Sequence, residues 1–491
     1  MRSLADLLDE LEAAGDGGPD ALSPLRGHPS LGDASGTDAV RAATLLSRQG
    51  FPQDLQTAAQ LALRAHQDGV SGAGRVCAEA VDRASVMSTR TQRFGTFTYE
   101  YKGELVLAPL DGSVDDALRA EFGVGSLAEL RAEVEAANRA TAMARADEPG
   151  LVRNETYVRI WRNPTEEELR RRMAAEGRPI WADGDELTIV CDQPLAGAIV
   201  GPLFEVPMWR VGSLLVLTVR VARLDEAVFT YGFWPLDEAG RPAFSVRPDP
   251  DGRFRGVNAR PAAPTNDTIV GTVEEHVLDS AALGEARKVS VYLPRGFDPA
   301  ERLPVVYAAD GQFFAPYSRR VDAAIEAGTT PRCVIVASHA GRNRTGEYFP
   351  GYDPRAFAAH ARFFLDEVPA WAEPRFGVAT ERARRAVFGC SDGGAHALSI
   401  AVAHPDRFGH VIAYSSGMPP NGTERWADGE APAIQLCAGV YEGQFHLSTY
   451  AWHAFLDMTG IEHHWTERVC AHELIQWIEE LPDALTRAFG S

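Results

Sequence analysis

Gly389-Cys390-Ser391-Asp392-Gly393-Gly394 is the stretch of this sequence that decides the fold. It follows an apolar run at 386–389 and precedes a stretch of small residues with helical character. A nucleophilic serine on so tight a strand-to-helix turn needs glycines around it, because side chains there would collide with neighbouring backbone. The turn would lift the Ser391 hydroxyl above the sheet and direct the N–H of Asp392 toward an oxyanion. The stretch therefore predicts the nucleophile of a serine hydrolase.

Strand-like and helical segments alternate around this turn from residue 268 to the end of the sequence. Several strand-like segments are continuous apolar runs, which parallel strands buried on both faces require. Predicted strands are 289–293, 304–309, 333–338, 386–389, 411–415, 433–437 and 465–469, and predicted helices are 354–367, 395–404, 449–459 and 472–489. This order predicts a doubly wound, mostly parallel α/β sheet of the α/β-hydrolase type over 265–491.

The order of a hydrolase triad along the chain is serine, acid, histidine. The acid should follow the second strand after the serine, and Glu442 is the only carboxylate between residue 437 and Asp457. The base should follow the last strand, as His472 does. His463 and His464 precede that strand, about 26 Å away along an extended chain. Ser391, Glu442 and His472 are therefore the predicted catalytic residues.

Other residues are predicted at the same edge of the sheet. The loop after strand 304–309 supplies the second oxyanion donor in this fold, so Gly311 or Gln312 joins Asp392 in the predicted oxyanion hole. Arg342 and Arg344 follow strand 333–338 and could hold an anionic substrate group, although a solvated loop explains them equally well. His446 shares the loop of Glu442 and is predicted to line the substrate pocket.

Two modules of different character precede the hydrolase region. Residues 1–148 are mainly helical, with one face formed by leucines, a Ser126/Glu129 capping box and a hairpin within 96–110. Residues 149–264 contain short β-branched segments at 186–191, 212–221 and 227–233, which predict a small β-sandwich of the Ig-like type. Proline-rich stretches at 247–252 and 260–264 place a boundary near residue 265.

Composition excludes several classes of function. The 491 residues carry 48 Lys and Arg against 68 Asp and Glu, a net charge of −20 that disfavours nucleic acid as a partner. Six scattered cysteines indicate reduced thiols and form no zinc motif, and no H-E-x-x-H spacing predicts another metal site. An acidic start without an apolar segment, and no run of about 20 apolar residues, predict a cytoplasmic protein that does not contact a membrane.

Residues 268–491 resemble the putative esterase family that includes enterochelin esterases and esterase D. The resemblance rests on the turn at 389–394 and on segments around it: 303–307 leading into Asp310-Gly311, Arg344 with Glu347-Tyr348, 364–369, His404-Pro405 with Phe408-Gly409, Ser415-Ser416-Gly417, Gly439 with Glu442, and His472 with Trp477. It implies ester hydrolysis and adds Ser416 to the expected substrate-binding residues. Enterochelin esterases also carry a β-sandwich before the hydrolase domain, so the resemblance implies an ester of a catecholate siderophore as substrate.

The sequence departs from this family at two places. Cys470-Ala471-His472-Glu473 stands where the family has Gly-Gly-His-Asp, which weakens the inference about substrate more than the one about the triad. Residues 40–140 are foreign to that architecture and resemble an uncharacterised bacterial helical family, through His66, Asp82-Arg83 and 92–96. We expect residues 1–148 to act as a lid, a docking module or a dimerisation module that makes a homo-oligomer.

Three hypotheses follow from the sequence. The first is a serine esterase that cleaves a small-molecule carboxylic ester through an acyl-enzyme, without a cofactor. The second is an acyltransferase or peptidase with the same triad, because the acyl-enzyme accepts any nucleophile that enters. The third is a non-catalytic scaffold with a hydrolase fold. The sequence disfavours the third hypothesis, since no member of the triad is missing.

Overall fold

The structure is a computed structural model. It describes residues 2–15, 21–49, 51–101, 103–148, 156–204, 206–237, 252–262, 264–265, 268–422, 424, 426 and 430–490. The chain forms two compact units, one of Met1–Pro149 with Val158–Asn163 and one of Gly150–Tyr157 with Pro164–Ser491. Among the described helices, none combines the length and the apolar character that a membrane span requires.

The first unit is mainly helical, as predicted. Its helices are α1 (Leu4–Ala14), α2 (Ser23–Arg26), α3 (Gly36–Gln49), α4 (Pro52–Gln67), α5 (Ala73–Thr89), α6 (Asp116–Glu121) and α7 (Leu127–Ala146), and its hairpin is β1 (Thr98–Tyr101) with β2 (Glu104–Leu107). Leu8, Leu25 and Leu46 are fully buried in its core. The predicted capping box is present, since Ser126 and Glu129 cap each other's backbone N–H groups at the start of α7.

The residues on which the resemblance to a helical family rests have a structural role in the first unit. The buried carboxylate of Asp82 accepts hydrogen bonds from the backbone N–H groups of Arg93, Phe94 and Thr96, at 2.7, 2.8 and 2.8 Å. The buried side chain of Gln92 bonds to the backbone of the same loop. These residues satisfy backbone groups that a loop would otherwise leave unpaired.

The second unit begins with a β-rich segment. It contains β3 (Tyr157–Arg159), which belongs to both units, α8 (Glu166–Glu176), β4 (Ile180–Asp183), β5 (Glu186–Cys191), β6 (Ala198–Gly201), β7 (Trp209–Val211), β8 (Leu214–Val221), β9 (Val228–Thr230), β10 (Gly232–Pro235) and β11 (Arg253–Arg255). Strands β4, β5, β8 and β7 form an antiparallel sheet, and β6 pairs with β10 and β9 with β11. The boundary near 265 stays a prediction, because residues 247–251 and 263 lie outside the described residues.

The rest of the unit is the predicted hydrolase sheet. Its strands are β12 (Thr272–Ser280), β13 (Glu285–Leu293), β14 (Val305–Ala308), β15 (Val334–Ser338), β16 (Arg385–Cys390), β17 (His410–Tyr414), β18 (Ala433–Gly439) and β19 (His463–Arg468). They lie in the order β12-β13-β15-β14-β16-β17-β18-β19. The pairs β12–β13 and β13–β15 are antiparallel and all later pairs are parallel, so the carboxyl ends of the parallel strands share one edge.

Helices cover both faces of this sheet. They are α9 (Phe314–Glu326), α10 (Arg344–Tyr348), α11 (Pro354–Arg362), α12 (Val368–Phe376), α13 (Asp392–Ala403), α14 (Gln444–Thr459) and α15 (Leu474–Phe489), with a π-helical turn at Phe363–Glu367 after α11. Val305 and Tyr307 of β14 pack into one core, whereas Val306 and Ala308 pack into the other. The alternation shows why these strands are apolar at every position.

Two histidines are buried beside α13. His360 Nδ1 lies 3.2 Å from His396 Nε2, and both side chains are inaccessible to solvent. The remaining ring nitrogens, Nε2 of His360 and Nδ1 of His396, have no hydrogen-bond partner among the described residues. Burial lowers the pKa of His360 to about 3 and lowers the pKa of His396 as well.

We expect this pair to make the protein sensitive to acid. Below the ordinary histidine pKa of about 6.5, the unfolded chain protonates these histidines while the folded chain does not, down to about pH 3 for His360. The free energy of unfolding should therefore fall with pH in that window, by at most about 1.4 kcal/mol per pH unit for each histidine. Urea unfolding at pH 7.5 and pH 5 should show a smaller loss in His360→Gln than in the wild type. An equal loss in both proteins would contradict this explanation.

Candidate active site

Ser391 lies on the tight turn between β16 and α13. Its backbone has φ 58° and ψ −124°, a strained conformation for a residue other than glycine. A Cβ on Gly389 would lie 2.0 Å from the carbonyl oxygen of Gly393, and one on Gly394 would lie 2.7 Å from that of Tyr414. The glycines of the motif are thus required by close backbone contacts.

The structure brings the three predicted triad residues together at the carboxyl edge of the sheet. His472 Nε2 lies 3.0 Å from Ser391 Oγ, within hydrogen-bond distance. On the other side of the ring, His472 Nδ1 lies 3.4 Å from Glu442 Oε1. The rejected candidates His463 and His464 are the first two residues of β19, at the opposite end of that strand.

Two aromatic rings hold the imidazole of His472. Phe445, the second residue of α14, stacks on it with ring centroids 3.7 Å apart, and Trp477 of α15 packs edge-on at 4.9 Å. Phe445 was not among the predicted site residues, because the predicted helix began at 449 while α14 begins at Gln444. Phe445 could have been predicted from the sequence, because it follows the proposed acid Glu442 by only three residues.

The carboxylate of Glu442 is completely buried within a set of polar partners. Ser415 Oγ donates a hydrogen bond to Glu442 Oε1 at 2.7 Å, and Gln476 Nε2 donates to the same oxygen. Trp477 Nε1 in turn donates to Ser415 Oγ at 2.7 Å. These contacts fix the carboxylate in its orientation toward His472, although Ser415 and Gln476 were not among the predicted site residues.

The predicted oxyanion loop lies against the turn that holds Ser391. A Cβ on Gly393 would lie 2.8 Å from Asp310 Oδ2, and one on Gly311 would lie 2.5 Å from the carbonyl oxygen of Ala337. The N–H of Asp392, the first residue of α13, has no intrahelical acceptor. An oxyanion hole formed by Asp392 with Gly311 or Gln312 stays a prediction.

Arg344 joins these two elements. Its guanidinium pairs with both oxygens of Asp310, at 2.7 Å each, and with the carboxylate of Asp392. Burial lowers the pKa of Arg344, but the two carboxylates outweigh burial and raise it above its usual range. From the sequence, Arg344 was expected to hold an anionic substrate group or to lie in a solvated loop. In the structure its charge is neutralised by the carboxylates of Asp310 and Asp392.

The other predicted substrate-binding residues have different surroundings. Ser416 is buried, and its hydroxyl donates to the carbonyl oxygen of Met418 at 2.9 Å, so it supports a turn. His446 Nε2 lies 3.2 Å from Glu467 Oε2, and the two side chains form a pair on α14 and β19. Arg342 is exposed and has no ion-pair partner among the residues that the structure describes. Of this predicted set, Arg342 therefore keeps a free cationic group.

We expect Arg344→Met to lower kcat by about tenfold to a hundredfold, because the loop and the turn would lose the cation that holds them in register. The Tm should fall as well, since Asp310 and Asp392 would keep their charges side by side. Arg342→Met is the matched control, and it should leave the Tm unchanged. Steady-state kinetics and thermal unfolding of both variants measure this. Equal kcat in wild type and Arg344→Met would contradict a positioning role.

The β-rich segment contacts both loops that carry predicted triad residues. The N–H of Val228 donates to the carbonyl oxygen of Val469 at 2.8 Å, just before the His472 loop. The N–H of Thr230 donates to Glu473 Oε2 at 2.8 Å, and burial raises the pKa of Glu473 to about 7. The hydroxyl of Tyr441 donates to the carbonyl oxygen of the residue after β8. The segment thus forms part of the framework of the candidate site.

Comparisons with known proteins agree with this architecture. Residues 280–436 match the family model described as "Putative esterase". Among curated proteins, the "Uncharacterized protein YjcH" of Bacillus subtilis (strain 168) is 27% identical over 150 residues, which are 30% of this chain and 62% of that protein. The chain therefore spans about 62% of the length of this curated relative.

Two of the solved structures with a similar fold are bacterial enterobactin esterases. The enterobactin esterase FES from Shigella flexneri, in the presence of 2,3-Di-hydroxy-N-benzoyl-serine, has 18% identity and a TM-score of 0.51, covering 65% of this chain and 98% of that chain. The ferric enterobactin esterase from Salmonella typhimurium has 16% identity and a TM-score of 0.51, covering 63% of this chain and 96% of that chain. At these identities the likeness shows the fold. The family match over residues 280–436 supports an esterase-type hydrolase for that part of the chain.

Proposed function

We propose that this protein is a serine hydrolase that cleaves carboxylic esters through an acyl-enzyme. One observation carries the proposal: His472 Nε2 is 3.0 Å from Ser391 Oγ while its Nδ1 faces the buried Glu442 carboxylate at 3.4 Å. A serine, a base that reaches its hydroxyl and an acid that orients the base are the arrangement that activates a nucleophile. The esterase family match over residues 280–436 supports the choice of an ester as substrate.

The proposed reaction starts with proton transfer. His472 Nε2 takes the Ser391 hydroxyl proton as Oγ attacks the ester carbonyl carbon, and the carbonyl oxygen becomes an oxyanion beside the N–H of Asp392 and the 310–312 loop. His472 then gives the proton to the leaving alkoxide, and the alcohol departs. Water attacks the acyl-enzyme with His472 again as base, which releases the carboxylic acid and restores Ser391.

Glu442 acts on this reaction through the imidazole. Its buried carboxylate favours the tautomer with the proton on Nδ1, which leaves Nε2 free to accept the serine proton. The distance of 3.4 Å is longer than a good hydrogen bond, and such contacts shorten in many enzymes when substrate binds. Phe445 and Trp477 keep the ring in the plane that serves both contacts.

The substrate class is the finer part of the proposal. A Cβ on Gly417 would lie 3.4 Å from Phe349 Cζ and 3.6 Å from Phe445 Cε1, so two aromatic side chains border the Ser391 turn. Such rings favour a flat, apolar group on the substrate. We propose an ester whose acyl part carries an aromatic ring, as in a catecholate siderophore or a similar secondary metabolite. The enterobactin esterases of similar fold support this class.

Hydrolysis by the full chain tests the proposal. Paired 4-nitrophenyl esters of benzoic and acetic acid should give turnover, with the higher kcat/KM for the benzoate, and siderophore triesters should be screened next. Added amines and alcohols should not divert the acyl group from water. Capture by an amine would support the acyltransferase or peptidase instead, and no turnover of any ester would contradict the esterase proposal. The function of residues 1–148 and a homo-oligomer through them stay predictions.

A further inference from the structure

A cluster of three polar side chains lies at the edge of the sheet that is opposite to Ser391. His453 and Asp457 are one turn apart on α14, and His463 is the first residue of β19. His453 Nδ1 is 2.7 Å from His463 Nε2, and Asp457 Oδ1 is 3.8 Å from the same nitrogen. One ligand atom from each residue lies within 4.8 Å of the other two. The spacing in sequence, 453, 457 and 463, matches none of the metal motifs sought in the sequence.

The imidazole of His463 is oriented as a ligand would be. Its side chain is only 5% exposed, and its Nδ1 lies 2.9 Å from the carbonyl oxygen of Ile461. A carbonyl oxygen can only accept, so Nδ1 carries the proton and the lone pair of Nε2 points toward His453 and Asp457. A histidine that ligates a metal typically donates its other N–H in this way.

His453 is held in place by its own neighbours. Its ring stacks on Trp465 with centroids 5.4 Å apart and an interplanar angle of 7°. Its Nε2 lies 3.7 Å from Asp457 Oδ2, so a proton on Nε2 would face a carboxylate and Nδ1 would be free to ligate. The two histidines already share one hydrogen bond. A cation bound between them would replace the shared proton, and His453 would then carry its proton on Nε2.

We propose that His453, Asp457 and His463 bind a divalent transition-metal ion of the Zn²⁺ type. Two imidazoles and one carboxylate are the ligands that such ions prefer, and with bonds of about 2.0 Å a tetrahedral site separates its ligand atoms by about 3.3 Å. The observed separations of 2.7 and 3.8 Å bracket that value. Asp457 is exposed, and a small movement of its side chain would bring a third ligand atom to the ion. The fourth coordination position would stay open.

A bound ion would add a link between two elements that already meet through the His446–Glu467 pair and the His453–His463 hydrogen bond. β19 is the edge strand of the sheet, and α14 is the helix whose first turn contains Phe445. The chain's net charge of −20 favours a cation at this surface. Since the ion would bind the folded protein and not the unfolded chain, it should raise the Tm in proportion to its occupancy.

Zinc alone is the probe for the test, with the full chain freed of metal by a chelator. Isothermal titration with Zn²⁺ should show one site, and zinc should raise the Tm. Asp457→Asn, an exposed position that cannot disturb the core, and His463→Ala should each weaken binding about tenfold or more. His464→Ala is the matched control, because His464 contacts Thr466 and not the cluster.

Zinc binding by the wild type and the three variants distinguishes the proposed site from its absence. Weaker binding in Asp457→Asn and His463→Ala, with wild-type binding in His464→Ala, would support the site. No zinc binding by the wild type, or the same affinity in all four proteins, would overturn it. Binding does not use Ser391, so Ser391→Ala should bind zinc like the wild type, and failure of the esterase proposal would leave this result unaffected.

Discussion

Ser391→Ala should abolish ester hydrolysis, with kcat lower by about 10⁵-fold or more. The variant removes the hydroxyl oxygen that lies 3.0 Å from His472 Nε2, while the predicted oxyanion donors and the aromatic border remain. The residual rate would come from those groups alone, since binding and an oxyanion hole still accelerate attack by water. Initial rates with 4-nitrophenyl benzoate, measured at saturating substrate, check the expectation.

The matched control for this variant is Ser399→Ala. Ser399 lies on the same helix, α13, two turns beyond Ser391. A loss of one hydroxyl there should leave kcat within about twofold of the wild type. If Ser391→Ala keeps more than a tenth of the wild-type rate, Ser391 is not the nucleophile and the assignment of the triad fails.

Glu442→Gln should lower kcat by about 10³- to 10⁴-fold with little change in KM. The amide keeps the shape of the carboxylate but carries no charge, so it cannot stabilise the imidazolium of His472. It also places an NH₂ group where Ser415 and Gln476 now donate hydrogen bonds, so the orientation of the new side chain changes.

Glu473→Gln is the control for a carboxylate at this site. Glu473 is also buried and follows His472 directly, but it accepts its hydrogen bonds from Thr230. Burial raises its pKa to about 7, so the neutral amide resembles a form that is already populated at neutral pH. kcat should fall by less than about tenfold. Equal losses in the two variants would show that Glu442 has no special relation to His472.

The hydrolase fold could be predicted from the sequence because its signals are local. The glycines around Ser391 and the continuous apolar runs each constrain a few neighbouring residues, and the order serine, acid, histidine follows from the order of strands. The strand β12 was not predicted, because polar and apolar residues are mixed along it and only two of its nine residues are buried. The length of α14 was underestimated because Gln444 to Ser448 carry no strong helix signal.

The contacts that complete the site are between residues far apart in sequence, and for that reason they could not be predicted. Arg344 begins the short helix α10, which the sequence did not predict, and only the fold shows that Asp310 and Asp392 reach it from two other elements. Gln476 reaches Glu442 across 34 positions of the chain. His463 was excluded as the catalytic base because it begins β19, at the opposite end of the strand from His472. At that end it lies beside His453 and Asp457 in the proposed cation site.

Labelling of the purified full chain with a fluorophosphonate tests the central claim most directly. The probe forms a covalent bond only with an activated serine, and mass spectrometry locates the adduct. We expect one adduct at Ser391, lost in Ser391→Ala and strongly slowed in Glu442→Gln. An unlabelled but folded wild-type protein, or an adduct at another serine, would contradict the assignment of Ser391, His472 and Glu442 as a catalytic triad.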